Sequence, residues 1–240
     1  MKTSVFISCC VDQFSAQTAF NLINLLKNLG IEADYNPAQT CCCGKTAYHE
    51  GDRETAKYLA EQFMNNFTDS DYIVGCSSSC VAYMKKYYSK LFLNSGYHNT
   101  YPNYLNIMYD ITSFIVNILK KQSVGATFNH KVAFVDDIST YNDYGLYNEP
   151  RILLENVNGL ELIKLNEENV SCGYGGLFAS NFEPISTELA RRKVQNAIDK
   201  GAEYITSTDM GCLLHLQSYI NKAKLPIACK HIVDILVSNE

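Results

Sequence analysis

The chain has 240 residues, 47% of them hydrophobic and 19% charged, with a formal net charge of −5. That length allows one large domain or two small ones with ample chain for a core. The acidic balance, with no long run of Lys or Arg, excludes a nucleic-acid surface of the usual basic kind. The apolar start Val5-Phe6-Ile7 is too short for a signal peptide, and the apolar stretch 114–119 contains Asn117 and cannot span a bilayer. A soluble cytoplasmic protein is expected. In a reducing cytosol its ten cysteines point to metal ligands or redox groups rather than disulfides, and the sequons at Asn66 and Asn169 carry no meaning.

In chain order, residues 3–8 read as a short buried strand ending at Cys9-Cys10. From 15 to 29 the apolar positions Ala19, Phe20, Leu22, Ile23, Leu25, Leu26 and Leu29 recur at helical spacing, with Asp12 as the expected cap and Gly30 as the stop. Residues 31–35 alternate as a second strand, and the loop Gln39-Thr40-Cys41-Cys42-Cys43-Gly44 follows. Residues 52–67 read as a helix with Asp52 at its N-cap and the stripe Ala56, Leu59, Ala60, Phe63. A strand at 72–74 feeds Gly75-Cys76-Ser77-Ser78-Ser79-Cys80, and a helix begins at Val81. Residues 95–103 are loop, 104–120 a helix and 121–130 a connector. The pattern then restarts: strand 132–135, helix 149–157, strand 160–165, the loop Ser171-Cys172-Gly173, helix 186–200 closed by Gly201, strand 204–206 leading to Gly211-Cys212, helix 213–223, strand 226–229 and helix 232–237.

The restart is a repeat. Asp71-Tyr72-Ile73-Val74 with Cys80 beyond it matches Glu203-Tyr204-Ile205-Thr206 with Cys212 at the same distance, and Cys43-Gly44 matches Cys172-Gly173. Alternating strands and helices predict an α/β protein of two tandem duplicated units, 1–125 and 126–240, with parallel sheets related by pseudo-two-fold symmetry. Such folds carry their sites on loops at the carboxyl ends of strands. Cys9, the Cys41–Cys43 triplet and Cys80 all sit just beyond predicted strands or on the loops that follow. A disulfide framework spaces its cysteines out, and a structural zinc site is usually built from two knuckles of closely spaced cysteines. Thiols converging from distant loops suit a metal or an iron–sulfur cluster in a preformed pocket, and Gly44 lets the backbone approach it without a Cβ. The competing readings are buried cysteines acting as small hydrophobes and zinc in place of a cluster.

Smaller features have plain readings. Cys229 is a core residue, and His231 forms a hydrogen bond at the start of the last helix. His49 is close enough in sequence to approach the cysteine loop. Gly173, Gly175 and Gly176 do not have the spacing of a phosphate loop. The tyrosines of 82–109 are packing or partner-facing residues.

The stretches 6–13 (FISCCVDQ), 39–44 (QTCCCG), 79–82 (SCVA), 110–116 (DITSFIV), 172–178 (CGYGGLF) and 209–214 (DMGCLL), with His231-Ile232, run through the chain in order. They resemble the CCG cysteine-rich domain family, which includes the cysteine-rich component of heterodisulfide reductase and the iron–sulfur subunits of glycerol-3-phosphate and glycolate oxidases. The resemblance is closer to its lactate-utilisation protein A subgroup. The family pattern is a cysteine, an adjacent cysteine pair and a Cys-x-x-Cys, twice over. Cys9, Cys42, Cys43 and Cys80 match it in the first half. Ser77 stands at the remaining position, as in that subgroup, and Cys76 is the nearby substitute. Cys10 and Cys41 are extra thiols. In the second half only Cys172 and Cys212 match: Ile138 stands where Cys9 would, Ser171 replaces one of the pair, and Asp209 takes the place of Ser77.

The resemblance therefore implies one cluster, of the [4Fe-4S] type, held by Cys9, Cys42, Cys43 and Cys80 beside Gly44 and Ser77. Cys76, Cys41, Cys10, Cys172 and Cys212 are the secondary candidates, and zinc is the alternative occupant. It implies an iron–sulfur electron-transfer subunit of a system that oxidises L-lactate to pyruvate with two further lactate-utilisation subunits, one of them iron–sulfur. A thiol/disulfide oxidoreductase like heterodisulfide reductase, or a zinc-stabilised non-catalytic partner protein, are the alternatives.

Overall fold

The computed structural model describes residues 2–39, 42–166 and 170–240, so Cys41 and the Asn169 sequon lie outside the described residues. The first half runs β1 (Thr3–Phe6), α1 (Cys9–Phe14), α2 (Ala16–Asn28), β2 (Ala33–Asp34), α3 (Lys45–His49), α4 (Arg53–Asn66), β3 (Tyr72–Gly75), α5 (Ser78–Leu91), α6 (Tyr101–Ile107), β4 (Met108–Asp110) and α7 (Ile111–Ser113), which runs on as a π-helical turn Phe114–Ile118. The second runs β5 (Lys131–Phe134), a π-helical turn Thr140–Tyr144, α8 (Asn148–Glu155), β6 (Glu161–Ile163), α9 (Gly176–Asn181), α10 (Glu183–Asp199), β7 (Tyr204–Ser207), α11 (Met210–Ala223), β8 (Ala228–His231) and α12 (Ile232–Leu236). Every pairing within the two sheets is parallel, in the orders β2-β1-β3-β4 and β6-β5-β7-β8. The α/β duplication read from the sequence is present as two sheets of one topology.

Strand register puts the halves in correspondence. Thr3 pairs with Tyr72 and Val132 with Tyr204, while Gly75 pairs with Asp110 and Ser207 with His231. Counting outward, Ile138 stands where Cys9 stands, Asp209 where Ser77 stands, and His231 where Asp110 stands. Alternation along each strand divides the core, because successive side chains point to opposite faces. Val5, Val74, Val132 and Phe134 enter one cluster shared by both halves. Phe6 and Ile73 pack into a first-half core, and Ala133 and Val135 into a second-half core. Each large apolar side chain of the shared cluster contributes about 1.5–3 kcal/mol by leaving water, so parting the halves is costly. Polar bonds add to this join: on α2, the Thr18 hydroxyl donates to Asp234 Oδ2 at 2.9 Å and Asn21 Nδ2 to Asp234 Oδ1 at 2.8 Å.

Several expectations are corrected. The single helix expected over 104–120 is broken by β4, which adds a fourth strand beside β3. The helical spacing arises because Met108 on the strand and Ile111, Phe114 and Ile115 beyond it are all buried; sheet pairing overrides local propensity. The second strand is shorter than expected, only Ala33–Asp34. The helices after β3 and β7 begin at Ser78 and Met210, earlier than Val81 and residue 213, so Cys80 and Cys212 lie in first turns. α9 reads as loop in the sequence because two glycines open it. Asp12 caps nothing: α1 starts at Cys9 and encloses it, and its carboxylate takes a hydrogen bond from Gln13 Nε2 at 2.5 Å. Tyr83 and Tyr88 are buried, so this part of the tyrosine-rich segment is core rather than partner-facing surface. His231 does what was expected of it, accepting at Nδ1 from the Val233 N–H at 3.2 Å.

Asp110, its counterpart, is fully buried; Oδ1 accepts from Thr112 N at 2.8 Å and from the Thr112 hydroxyl, and Oδ2 has no partner among the described residues. Burial pushes its carboxyl up to about 6 from an ordinary 3.8. A raised carboxyl binds its proton more tightly in the folded chain. Its contribution to stability is therefore full below pH 4 and is lost as pH rises through 6. Urea unfolding of the wild type against Asp110→Asn should show a loss of about 3 kcal/mol between pH 4 and 7 that the variant lacks. Identical pH profiles would refute this.

Candidate functional site

A cavity of about 430 Å³ opens at the carboxyl ends of the first-half strands, where parallel α/β folds place their ligands. Its wall includes Cys9, Cys10, Cys42, Cys43, Ser77, Ser79 and Cys80. Cys9 opens α1 directly after β1, Cys42 and Cys43 precede α3, and Cys80 sits in the first turn of α5. Helix N-termini favour thiolates, because the N–H ends of α1 and α5 carry partial positive charge. Gly44 has φ 84°, and a Cβ there would come within 3.1 Å of the Ala56 carbonyl oxygen, so only glycine lets the cysteine pair turn into α3.

Cys43 and Cys80 are hydrogen-bonded through their sulfurs at 3.3 Å, and Tyr88 Oη donates to the Cys43 carbonyl at 3.1 Å. The Gly44 N–H donates to Cys42 Sγ at 3.4 Å. The Cys9 thiol lies against those of Cys10 and Cys42, which with burial raises its own pKa. The same contact is the largest cause that lowers Cys42 to about 6 and Cys10 to about 7. The Cys43 contact, with burial, pushes Cys80 up. Sulfur donors grouped in this way suit a soft metal or a metal–sulfur cluster. Among the described residues, no group of three or more His, Cys, Asp or Glu is placed to hold a single metal ion.

The second half closes the cavity from the other side. Asp209, at the start of α11, accepts from the Ser77 hydroxyl at 2.9 Å and the Ser79 hydroxyl at 2.5 Å on Oδ2, and from Cys212 N at 3.0 Å on Oδ1. Ser78 N donates to the Thr208 carbonyl at 3.1 Å, and the two hydroxyls lie 2.7 Å apart. The residue that corresponds to Ser77 in the repeat thus grips the loop that carries Cys80. Tyr174 reaches across to Cys10, Oη to Sγ 3.7 Å. Its ring lies on Gly211, where any Cβ would fall 2.2 Å from the Tyr174 ring carbon. Lys45 lies among Asp137, Asp209 and the Cys80 and Cys43 thiols; burial opposes its charge, and those neighbours raise its pKa nonetheless.

The structure thus brings Cys9, Cys42, Cys43, Cys80 and Ser77 together, with Cys10 beside them and Gly44 shaping the turn. It does not bring Cys76 to the cavity. Strand alternation turns Cys76 into the shared core while Ser77 faces the site, and burial pushes the Cys76 thiol up to about 12. Cys172 and Cys212 lie together inside the second-half core, outside the cavity wall, and the Cys172 thiol with burial raises that of Cys212. Cys229 packs in that region too, its thiol raised by burial to about 12. His49 lines the cavity, as its sequence position allowed. Asp209, Lys45, Asp137 and Tyr174 were missed as site residues. The position of Asp209, matching Ser77 in the repeat, was the one available signal.

The family model described as a cysteine-rich CCG domain matches residues 3–85 and 139–217. The chain is 33% identical to the lactate utilization protein A of Geobacillus kaustophilus over 98% of both chains. It is also 33% identical to that of Bacillus licheniformis, over 99% of this chain and 100% of the relative. Among solved structures, the glutamate racemase RacE1 of Bacillus anthracis aligns over 98% of this chain and 78% of its own with 12% identity and a TM-score of 0.39.

Asp209→Ala leaves two hydroxyls and one N–H without their acceptor and should cost ~3 kcal/mol in urea unfolding; a loss under about 0.5 kcal/mol would show that the joint contributes little. In the metal-free protein Cys42 should be alkylated by iodoacetamide with a half-maximal rate near pH 6, because the thiolate predominates above its pKa. Cys9→Ala removes the neighbouring thiol and should shift that midpoint upward; an unmoved midpoint would locate the cause elsewhere.

Proposed function

The chain belongs to the lactate utilization protein A family of cysteine-rich CCG-domain proteins, and on that premise we propose that it is an iron–sulfur electron-transfer subunit of a system that oxidises L-lactate to pyruvate. The observation that carries this reading is the convergence of Cys9, Cys42, Cys43 and Cys80 from three separate loops on one cavity of about 430 Å³. Four sulfur donors and the glycine-shaped turn at Gly44 fit a [4Fe-4S] cluster, which supplies one-electron chemistry when bound.

In this reading Cys9, Cys42, Cys43 and Cys80 would hold the cluster, with Ser77 beside them. The Gly44 N–H already donates to Cys42, and such donors to sulfur raise reduction potential. Lys45 offsets the negative charge that thiolates and the two aspartates collect in the cavity. Asp209 fixes Ser77 and Ser79, and through them the Cys80 loop. Residues 1–125 form the cluster-binding unit and 126–240 the unit that braces it. Two further lactate-utilisation subunits, one iron–sulfur, complete the system in the cytoplasm. Among the described residues no helix is long and apolar enough to cross a membrane.

Anaerobic reconstitution followed by iron and sulfide counting and electron paramagnetic resonance tests the proposal. Cys42→Ser and Cys43→Ser should each lose the cluster and abolish lactate-dependent growth in cells that rely on this protein. Normal iron content in both variants, or zinc alone after anaerobic purification, would overturn it.

A further inference from the structure

Large apolar side chains that reach solvent are not spread evenly over this protein. Ten are exposed among the described residues, and five of them, Tyr174, Leu177, Phe178, Phe182 and Ile185, fall within one short stretch of the chain, each 38–55% exposed. Surface hydrophobes placed singly need no explanation, but a contiguous group marks an interaction surface. This group is contiguous. The Phe178 and Phe182 rings lie 5.7 Å apart, and the Ile185 N–H donates to the Phe182 carbonyl at 3.0 Å. α9, which carries Leu177 and Phe178, buries none of its six residues, and a helix so short has little stability of its own. On α1, Cys10 touches Tyr174, and Phe14, 72% exposed, lies one helical turn beyond Cys10 on the same face. The patch thus runs from α1 across Tyr174 to the start of α10.

It also runs into the cysteine cavity, whose wall includes Tyr174, Leu177 and Phe178 but not Phe182 or Ile185. A protein seated on the patch would lie over the opening, and the charge there says which kind of protein fits. Glu50, Asp137 and Asp209 stand against one lysine and no arginine among the described lining residues. Glu183 is exposed between Phe182 and Ile185, and four thiolates around a bound cluster add negative charge. Glu50 and Glu183 make no ion pair among the described residues. A second copy of the chain is a poor occupant. A two-fold contact would set these carboxylates against their own copies, on a chain of net charge −5. An anionic lipid surface is repelled for the same reason. We propose that Phe14, Tyr174, Leu177, Phe178, Phe182 and Ile185 form the docking face for a one-electron carrier protein whose contact surface is apolar at its centre and basic at its rim. One electron passes between the loaded cavity and the carrier's own redox centre; one side is oxidised as the other is reduced, and no atom is transferred. The carrier's chemistry rests on the cluster reading above; the face itself rests on the exposed apolar group and the charge around it.

Isothermal titration of the full chain, cluster-free and reconstituted, with two purified carriers tests this. The probes are cytochrome c, a basic one-electron carrier, and a plant-type ferredoxin, an acidic one. At low ionic strength the chain should bind cytochrome c and not ferredoxin. Phe182→Ser with Ile185→Ser, both outside the cavity wall, should together weaken cytochrome c binding about tenfold, the usual effect of truncating apolar anchors. Glu183→Lys should weaken it about threefold and flatten its salt dependence, as a rim charge does. Leu93→Ser, at an apolar residue 61% exposed elsewhere, should change nothing. Iron content and melting temperature should match the wild type in every variant, because exposed side chains carry little stability; a variant that loses iron or melts lower would mark these residues as structural and overturn the inference. Absence of cytochrome c binding, equal binding of ferredoxin, unchanged affinity in the Phe182 and Ile185 variant, or an equal loss in Leu93→Ser would also overturn it. So would self-association through the same residues in sedimentation, or flotation through them with vesicles of phosphatidylcholine and phosphatidylglycerol. Iron counts on the same samples separate this inference from the cluster proposal. A chain that loads iron but binds no carrier refutes only the docking face, and one that binds the carrier without ever loading iron refutes only the cluster.

Discussion

Asp209 brings a carboxylate into a joint that is out of water, and the site depends on how that charge is met. Two serine hydroxyls from the first half and the N-terminal N–H of Cys212 take up its lone pairs. Unmet, a carboxylate so buried would be costly; met, it becomes a rigid tie between the halves at the loop that carries Cys80. The backbone bond from Ser78 to Thr208 lies alongside it. The orientation of Cys80 is thereby set by residues more than half the chain away.

The duplication explains how such a tie can arise. Two sheets of one topology meet through a shared core, so corresponding loops of the two halves face each other at the strands' carboxyl ends. Where one loop kept serines around a thiol, the other has a carboxylate of the right length to receive them. The matching thiols of the second half, Cys172 and Cys212, have retreated into apolar packing, and Ile138 stands where Cys9 would. The second half supports the cysteine cavity: Asp209 braces the Cys80 loop, Tyr174 reaches Cys10, and Gly211 makes room for the ring.

The same geometry divides charge. Thiols and aspartates gather on one side of Lys45, while on the other side lies a niche whose one carboxylate among the described residues is already paired. A single lysine, two residues past the cysteine pair, lines both cavities, with the aspartates and thiols around its ammonium.

Much of this was legible in the chain. Apolar alternation and helical stripes marked all the strands but β4, and the spacing of Cys43-Gly44 and Cys80 against Cys172-Gly173 and Cys212 marked the repeat. The cysteine positions beyond strands marked where a site would form, because parallel sheets put their loops there. Periodicity could not separate β4 from a helix, since Met108, Ile111 and Phe114 are buried in either case and only pairing with Ile73–Gly75 decides. Nor could it say that Cys76 turns inward while Ser77 faces the cavity, or that Asp209, Tyr174 and Lys45 meet the thiols. Those facts follow from register, from which face of a strand a residue occupies, and from the packing of one half on the other. By itself the sequence determined the fold class, the duplication and the thiols, since these are written in local period and spacing; only the tertiary structure decided which neighbours complete the site, because contacts between residues far apart in the chain leave no local trace.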